Sequence, residues 1–298
     1  MVKAIRRFVV ACAENDRARA VAERVLREWR AIAPEVAGGD FDQGSNDPDA
    51  IFAFGGDGFL LEVVRKLGDQ KVPIVGWHTG TMGFLMNEVP EDDAALRQDL
   101  LALSMGHIEQ VECIPLRMRY TGADGEPITR WVFNEAGIFI RDIGSQAARF
   151  AIAIDGESMG AFTGDGILLS TSQGTTGYAV NAGGPAIDPS IPAITIAPVN
   201  ASRSSVFPSL RFPIVLPPTS DVEIVVLEHE KRPVQLSADG QLVELDLRAI
   251  GVTTGLSVEP HVSVALWYPR DPRAPRRRWV RRLRQKFVDG ADGSGSKR

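Results

Sequence analysis

The segment GGDG at residues 55–58 combines glycines with one acidic residue in a setting that favours phosphate chemistry. It follows the apolar run DAIFAF and precedes a stretch with the spacing of an amphipathic helix. Glycines allow a tight turn whose N–H groups approach an anion, and the N-terminus of the following helix adds its positive dipole end. Gly55, Gly56 and Gly58 are therefore candidate phosphate-binding residues.

Asp57 is the unusual residue of this turn, because a carboxylate repels a bound phosphate. Its presence is explained if it acts as a general base, as a partner of magnesium or as an acceptor for a hydroxyl group. The alternative is an aspartate that only caps a β–α turn, a position that aspartates favour. The turn taken alone leaves both interpretations open.

A second glycine-rich loop, GWHTGTMGFL at residues 76–85, also follows a short apolar run. The carboxyl ends of parallel strands face one crevice, so we expect this loop and GGDG to flank the same site. His78 is interpreted as structural, because no Cys, Asp or Glu lies near it at the spacing of a metal site. Phe84 is either a core residue or a platform for a base.

Asn134 and Glu135 stand together in FNEAGI, residues 133–138, inside a segment that otherwise has the pattern of an apolar strand. An asparagine side chain both donates and accepts, which suits a purine edge, and a carboxylate can accept from the two hydroxyls of a ribose. The alternative is that both side chains satisfy neighbouring backbone groups at a bulge. The pair is therefore a candidate nucleoside-binding element.

The segment TGDGILLSTSQGTTGYAVNAGGPAIDPS, residues 163–190, is dense in glycines and hydroxyl groups around Asp165, Thr176, Tyr178 and Asn181. Small hydroxylated residues let a ligand approach the backbone, and a tyrosine ring can pack on a base or a ribose. The alternative is a glycine-rich crossover between strands.

The apolar pattern that must position these residues changes near residue 105. Up to that point strands and helices alternate, which predicts a parallel, Rossmann-like α/β domain over residues 1–105. Its predicted elements are residues 5–12, 15–32, 50–54, 58–67, 73–77 and 91–103. Short alternating runs then predict an antiparallel, β-rich domain over residues 106–268. Those runs are residues 108–120, 131–140, 150–154, 222–227 and 233–238. The fold class is thus α/β plus all-β.

Composition excludes several classes of protein. A net charge of −5 argues against general affinity for nucleic acid, and no apolar stretch has the length of a spanning helix, so we expect neither nucleic acid nor membrane as a partner. The apolar run that ends at Ala13 is too short for a cleavable leader. Cys12 and Cys113 have no metal-type or redox-type spacing, which favours a cytoplasmic location.

The order of these motifs resembles the NAD kinase family over roughly residues 50–285. GGDG is shared with diacylglycerol-type lipid kinases and phosphofructokinases, whereas the NE pair followed by GDGILLSTSQGTTGY and AGGPAI is typical of NAD kinases. The resemblance implies transfer of the γ-phosphoryl group of ATP, or a phosphoryl group of polyphosphate, to the 2′-hydroxyl of the adenosine ribose of NAD, giving NADP. It implies Mg2+ carried by the donor, with no protein ligands assigned. A lipid kinase and a non-catalytic NAD-binding protein are the alternatives.

The same resemblance assigns roles to individual residues. Asp57 becomes the catalytic residue, and Gly55, Gly56 and Gly58 bind the donor phosphates. The implied NAD-binding residues are Asn134, Thr176 and Asn181 at the adenine, Glu135 at the ribose hydroxyls, Phe84 and Tyr178 against ligand rings, and Asp165 beside the second nucleoside. Asp239, in SADGQ, resembles a position at the border with an adjacent subunit. The sequence departs from the family pattern at Phe59, at Leu85 and at residues 172–174.

Two further segments follow from the resemblance. The loop at residues 198–206 matches one that reaches an adjacent subunit's site, which implies a homodimer or homotetramer. Residues 269–288 match a C-terminal segment that returns to the first domain, and Trp279, Val280, Leu283 and Phe287 lie at helical spacing for docking there. We expect residues 289–298 to be disordered.

Overall fold

A computed structural model describes residues 5–42, 47–68, 70–80, 82–122, 124–141, 146–202, 210–244, 252–256, 263–270 and 277–289. The chain divides into two compact units. The first comprises Met1–Glu112 together with Val264–Arg298, and the second comprises Cys113–Ser263. Both ends of the chain therefore contribute to the first unit.

The first unit is an α/β domain with a largely parallel sheet, as the sequence pattern predicted. Its strands are β1 (Arg7–Cys12), β2 (Ala37–Asp40), β3 (Ala50–Gly55), β4 (Ile74–His78), β5 (Ile108–Cys113) and β18 (Val264–Pro269). They lie in the order β2-β1-β3-β4-β18-β5, and the neighbours from β2 to β18 pair in parallel. Its helices are α1 (Asp16–Ile32), α2 (Asp57–Leu67), α3 (Asp93–Ser104) and α4 (Arg277–Arg284).

Aromatic side chains hold the centre of this sheet. All six residues of β3 are buried, as expected for a central parallel strand. The rings of Phe8 and Phe52 stack with centroids 4.3 Å apart, and those of Phe54 and Trp77 stack at 5.1 Å. Trp29 of α1 meets Phe52 edge-on at 5.1 Å. This packing fixes the strand ends from which both glycine-rich loops emerge.

Two segments expected in the β-rich domain lie instead in the first sheet. The run predicted as one strand over residues 108–120 divides before Pro115, so that β5 joins the first sheet and β6 (Leu116–Thr121) joins the second unit. β18 also lies in the first sheet, beside β4. Alternation of apolar and polar residues reports a half-buried strand but not its partners, so the pattern could not locate this boundary.

The second unit contains two antiparallel six-stranded sheets. Their remaining strands are β7 (Pro127–Val132), β8 (Glu135–Ile140), β9 (Ala148–Ile154), β10 (Glu157–Gly164), β11 (Gly166–Thr171), β12 (Ile194–Val199), β13 (Ile214–Leu216), β14 (Asp221–Leu227), β15 (Val234–Ala238), β16 (Gln241–Val243) and β17 (Val252–Leu256). The orders are β10-β9-β14-β17-β6-β7 and β13-β12-β11-β8-β15-β16. Both sheets contribute to one core that includes Phe150, Phe162, Ile138 and Leu169. The prediction of an antiparallel β-rich domain is confirmed.

The prediction of a single strand over residues 131–140 is wrong. β7 ends at Val132 in one sheet and β8 begins at Glu135 in the other, so the chain changes sheets at Phe133–Asn134. Val132, Phe133 and Ala136 are all buried, which keeps the apolar pattern continuous across the change. Asn134 therefore lies at the crossing between the two sheets and Glu135 is the first residue of β8, so the pair is not in the interior of one strand.

The C-terminal helix contacts the loop that follows β4. Arg282, only 2% exposed, donates from its guanidinium group to the carbonyl oxygens of Phe84 and Met86. The ring of Trp279 meets Phe84 edge-on with centroids 5.7 Å apart. Val280 and Phe287, predicted on the same docking face, are instead 64% and 43% exposed. Residues 271–276 and 290–298, with nearly all of the tail expected to be disordered, lie outside the described residues.

Among the described helices, none has the length and apolar character needed to cross a membrane.

We predict that Arg282→Met lowers the free energy of unfolding by about 2–4 kcal/mol, because two buried carbonyl groups lose their donor. Thermal unfolding followed by circular dichroism measures the change. Arg281→Met is the matched control, since the Arg281 side chain is 67% exposed and its carboxylate partner, Glu88, lies 3.6 Å away. An exposed pair of this kind contributes little. Equal melting temperatures for the two variants would contradict the assigned role of Arg282.

Candidate active site

Asp57 connects the two glycine-rich loops of the first unit. It is the first residue of α2, and its Oδ2 accepts a hydrogen bond from the backbone N–H of Phe84 at 2.7 Å while Oδ1 lies 3.3 Å from that of Leu85. The N-cap of α2 is Gly56, which makes no side-chain capping bond. The carboxylate of Asp57 therefore anchors the neighbouring loop. The capping interpretation predicted instead that it would bond to the backbone of its own turn.

The three glycines of GGDG differ in what surrounds them. A Cβ at Gly55 would lie 2.5 Å from the ring of Phe59, so packing requires glycine there. At Gly56 and Gly58 a Cβ would meet no protein atom within 4 Å. Open space thus lies at the N-terminus of α2, where the first N–H groups of a helix are free of intrahelical partners and attract anions.

The ring of His78 packs against the glycine-rich loop that follows β4. Gly83 folds against its ring, because a Cβ there would lie 2.2 Å from the imidazole. Burial lowers the pKa of His78, the carboxylate of Asp57 opposes that shift, and the guanidinium of Arg282 adds to it. These shifts together favour the uncharged form of the imidazole. Among the described residues, no group of three or more His, Cys, Asp or Glu side chains could hold a metal ion.

Phe84 is packed into the first unit. Its side chain is buried, the edge of Trp279 meets its ring, and the ammonium group of Lys286 lies 4.8 Å from the ring centroid. Of the two possibilities that the sequence left open, this arrangement matches a core residue.

In the second unit, the backbone of the sheet crossing is saturated by other residues. Asp239 accepts from the N–H of Phe133 at 2.8 Å with Oδ2, and from the N–H groups of Asn134 and Glu135 at 2.7 and 3.3 Å with Oδ1. Thr171 Oγ1 and Gln173 Nε2 donate to the carbonyl of Phe133 at 2.8 and 2.7 Å. The crossing therefore needs no help from its own side chains.

Two side-chain atoms at the crossing have no protein partner. Asn134 Oδ1 and Glu135 Oε2 are both buried and make no hydrogen bond. Buried polar atoms in folded proteins are nearly always bonded, so an exception calls for an explanation such as a ligand. The alternative that these side chains satisfy neighbouring backbone is wrong. Their arrangement suits a ligand that offers both an amino group and hydroxyl groups.

Glu135 is also electrostatically unusual. The pKa of Glu135 is raised to about 7, mainly by burial and to a smaller extent by the negative charge of Asp239. Burial likewise raises the pKa of Asp239, while its bonds from the three backbone N–H groups oppose the shift. A carboxyl group that titrates near neutral pH is a recognised mark of functional sites.

The glycine-rich segment passes directly over the crossing. A Cβ at Gly174 would lie 2.2 Å from the backbone oxygen of Asn134, and one at Gly177 would lie 3.3 Å from Glu135 Oε2. Thr176 is buried in the helical turn Thr175–Ala179. Packing therefore requires glycine at Gly174, where the two backbones approach each other, whereas at Gly177 the tight neighbour is a side chain.

Tyr178 and Asn181 lie further along the same segment and are exposed. The ring of Tyr178, 43% exposed, lies 5.5 Å from that of Phe139. Its free face is therefore available to a ligand ring.

Asp165 is not part of this cluster within one chain. It precedes β11, where Gly166 pairs with Phe139 and Ser170 pairs with Glu135. The length of that strand separates Asp165 from Glu135 by about 15 Å. The carboxylate of Asp165 accepts from Asn200 Nδ2 at 2.8 Å. Of the loop at residues 198–206, residues 203–206 lie outside the described part of the chain.

Sequence reasoning did not find what holds the crossing together. The resemblance points to Asp239 only as a border position and to Gln173 only within the departure at residues 172–174, and no pattern marks Thr171. The contact between Asp239 and Phe133 joins residues 106 positions apart, which no local pattern reveals. The one available signal was the Asp-Gly pair in SADGQ, a typical hairpin turn.

Two family models match the sequence: the ATP-NAD kinase N-terminal domain over residues 16–107 and the ATP-NAD kinase C-terminal domain over residues 133–255. The NAD kinase of Rhizobium meliloti (strain 1021) is 32% identical over 205 residues, covering 67% of this chain and 75% of that protein. The NAD kinase of Brucella suis biovar 1 (strain 1330) is 34% identical over 201 residues, covering 67% and 73%. For the NAD kinase of Nitrosococcus oceani, 32% identical, the matched part spans 65% of this chain and 63% of that protein.

Solved structures share the fold at lower identity. The crystal structure of yeast NADH kinase complexed with NADH has a TM-score of 0.75 and 20% identity, covering 99% of this chain and 90% of that chain. The crystal structure of an NAD kinase from Archaeoglobus fulgidus in complex with ATP has a TM-score of 0.67 and 22% identity, covering 92% and 96%. Together with the two domain matches, the relatives that cover two thirds of the chain show that this protein belongs to the NAD kinase family of phosphotransferases.

Proposed function

We propose that the protein transfers the γ-phosphoryl group of ATP to the 2′-hydroxyl of the adenosine ribose of NAD, giving NADP. The observation that carries the proposal is the carboxylate of Asp57, held by two backbone N–H groups of a neighbouring loop beside the open N-terminus of α2. Membership of the NAD kinase family supports the choice of acceptor.

The donor phosphates bind at the N-terminus of α2. Gly56 and Gly58 leave the backbone accessible there, and the helix dipole favours the negative charge of the phosphates. Gly55 contributes by allowing Phe59 to pack beneath the turn. ATP is the donor of choice, because a related NAD kinase has been crystallised in complex with it. Polyphosphate is the alternative donor.

Magnesium accompanies the donor in this proposal. The described residues present Asp57 at the turn without a cluster of carboxylates around it, which fits an ion held mainly by phosphate oxygens and water. When bound, Mg2+ neutralises charge on the transferring phosphoryl group.

Asp57 accepts the proton of the ribose hydroxyl and orients that oxygen toward the phosphorus. The N–H groups of Phe84 and Leu85 fix the direction of the carboxylate, and Arg282 fixes the carbonyl side of the same loop. Phosphoryl transfer depends mainly on position and charge, so a rigidly held base meets its main requirement.

The second unit binds NAD. Asn134 Oδ1 accepts from the adenine amino group and Glu135 accepts from ribose hydroxyls, which gives both orphaned atoms a partner. Thr176 and Asn181 complete the adenine contacts, and the free face of Tyr178 packs on a ligand ring. Asp165, about 15 Å along the strand, contacts a different part of the dinucleotide or NAD held by an adjacent subunit of a homodimer or homotetramer.

We predict that the purified protein forms NADP from NAD, magnesium and ATP. Parallel reactions with polyphosphate as donor, and with NADH or a diacylglycerol as acceptor, are followed by chromatography of the products. NADH is included because a neighbour in fold is an NADH kinase. Tight NAD binding with no NADP from any donor would rule out the proposal, and turnover of the diacylglycerol alone would favour a lipid kinase.

We predict that Asp57→Asn binds NAD normally but loses about 10²- to 10⁴-fold in turnover, because the general base is lost. Calorimetry measures binding and NADP formation measures turnover. Asp16→Asn is the matched control, since Asp16 is also an acidic residue in the first turn of a helix, but an exposed one. Full turnover in Asp57→Asn would remove Asp57 from the mechanism.

We predict that KM for NAD falls about tenfold between pH 6 and pH 8, because the ionised form of a carboxyl group makes the stronger hydrogen bonds to hydroxyls. The sign follows from the pKa of Glu135, about 7, which leaves this side chain mostly protonated at pH 6 and mostly ionised at pH 8. Glu135→Gln should show a raised KM that no longer changes over this range. A flat profile in the unmodified protein would contradict the assignment of Glu135.

A further inference from the structure

Asp239 occupies a two-residue hairpin turn with unusual connections. Ala238 pairs with Gln241, and the φ values of Asp239 and Gly240 are +48° and +74°, as in the tight turns that favour Asp-Gly. Besides its two carboxylate oxygens, Asp239 uses its backbone N–H, which donates to the carbonyl of Glu135 at 2.9 Å. One turn residue thus bonds every backbone N–H from Phe133 to Glu135.

A second Asp-Gly turn in the same unit also binds neighbouring backbone groups through its aspartate, which allows a comparison. Asp155 and Gly156 join β9 to β10 with φ values of +51° and +82°. Asp155 accepts from the N–H of Asp221 at 2.8 Å and from Ser220 Oγ at 3.1 Å, and its own N–H donates to the carbonyl of Asp221 at 2.9 Å. These hydrogen bonds hold only the residues at the start of β14. The anchor at Asp239 instead holds the residues that carry the orphaned Asn134 Oδ1 and Glu135 Oε2.

The charge of Asp239 acts on the same group that its geometry positions. Its negative charge is a cause of the raised pKa of Glu135, and Arg130 of β7 acts on Asp239 in turn. The residues that meet Glu135 from the other side, Ser170 on β11 and Gly177, carry no charge. Position and protonation of Glu135 are therefore linked through one carboxylate.

We propose that Asp239 is a positioning residue for NAD: its carboxylate fixes the sheet crossing so that Asn134 and Glu135 are pre-arranged for the adenosine moiety. This inference rests on the proposed function of that pair. It gives Asp239 a role inside its own chain, through the backbone that it anchors.

Asp239→Asn keeps the size of the side chain but removes its charge and one acceptor. We expect KM for NAD at pH 8 to rise about tenfold with kcat within about threefold, since the change affects binding and not the base. The pH midpoint of KM should fall by about one unit, because Glu135 loses a neighbouring negative charge. Asp239→Glu keeps the charge with a longer side chain, so its KM should rise while its midpoint stays unchanged.

Asp155→Asn is the matched control, an Asp-Gly turn with the same kind of backbone anchor away from the crossing. It should lower the melting temperature to a similar extent while leaving KM and the pH midpoint unchanged. The proposal is overturned if Asp239→Asn keeps both values, or if Asp155→Asn shifts them equally. Glu135→Gln distinguishes failure of this inference from failure of the proposed function. An unchanged KM and pH profile in that variant would refute NAD binding by Asn134 and Glu135. If Asp239→Asn does not fold, the KM of Asp239→Glu tests the proposal instead: a raised KM supports it, and an unchanged KM overturns it.

Discussion

The arrangement of the second unit depends on hydrogen bonds to a backbone that belongs to neither sheet. Where the chain crosses at Phe133–Asn134, its N–H groups have no strand partner, and a buried unpaired N–H is costly. The carboxylate of Asp239 supplies the acceptors, and the bonds it receives offset the cost of burying its charge. Because these backbone groups already have partners, the side chains of Asn134 and Glu135 are not needed to satisfy them.

The first unit solves a similar problem with charges on two elements. The loop at residues 84–86 lies between the carboxylate of Asp57, which accepts from its N–H groups, and the guanidinium of Arg282, which donates to its carbonyls. A loop without regular structure is thereby held on both of its polar sides. The C-terminal helix thus contributes to the orientation of the proposed base, although it lies more than 200 residues from Asp57 in the sequence.

Local patterns predicted what depends on local physics. The alternation of strands and helices, the turn at GGDG and the antiparallel character of the second unit follow from apolar spacing and glycine placement. The patterns failed where long-range pairing decides: β5 and β18 have ordinary strand patterns, but their partners lie in the first sheet. The crossing at Phe133 was hidden because both flanking strands bury apolar side chains. Val280 has helical spacing like Trp279, yet the helix presents it to solvent.

Glu28 and Glu135 differ in how the fold satisfies their carboxyl groups. Glu28 accepts hydrogen bonds from Arg97 and Arg27. The bond from Arg97 is the main cause of the lowered pKa of this carboxyl group, and the bond from Arg27 lowers it further. Its charge is satisfied within the fold. Glu135 has instead a like-charged neighbour and a buried oxygen without a partner, so ionising it in the free protein is unfavourable. A fold that only needed to be stable would gain by replacing it. Under the proposed function, a ribose hydroxyl that donates to that oxygen would remove the penalty, so part of the free energy of NAD binding would come from strain already present in the fold.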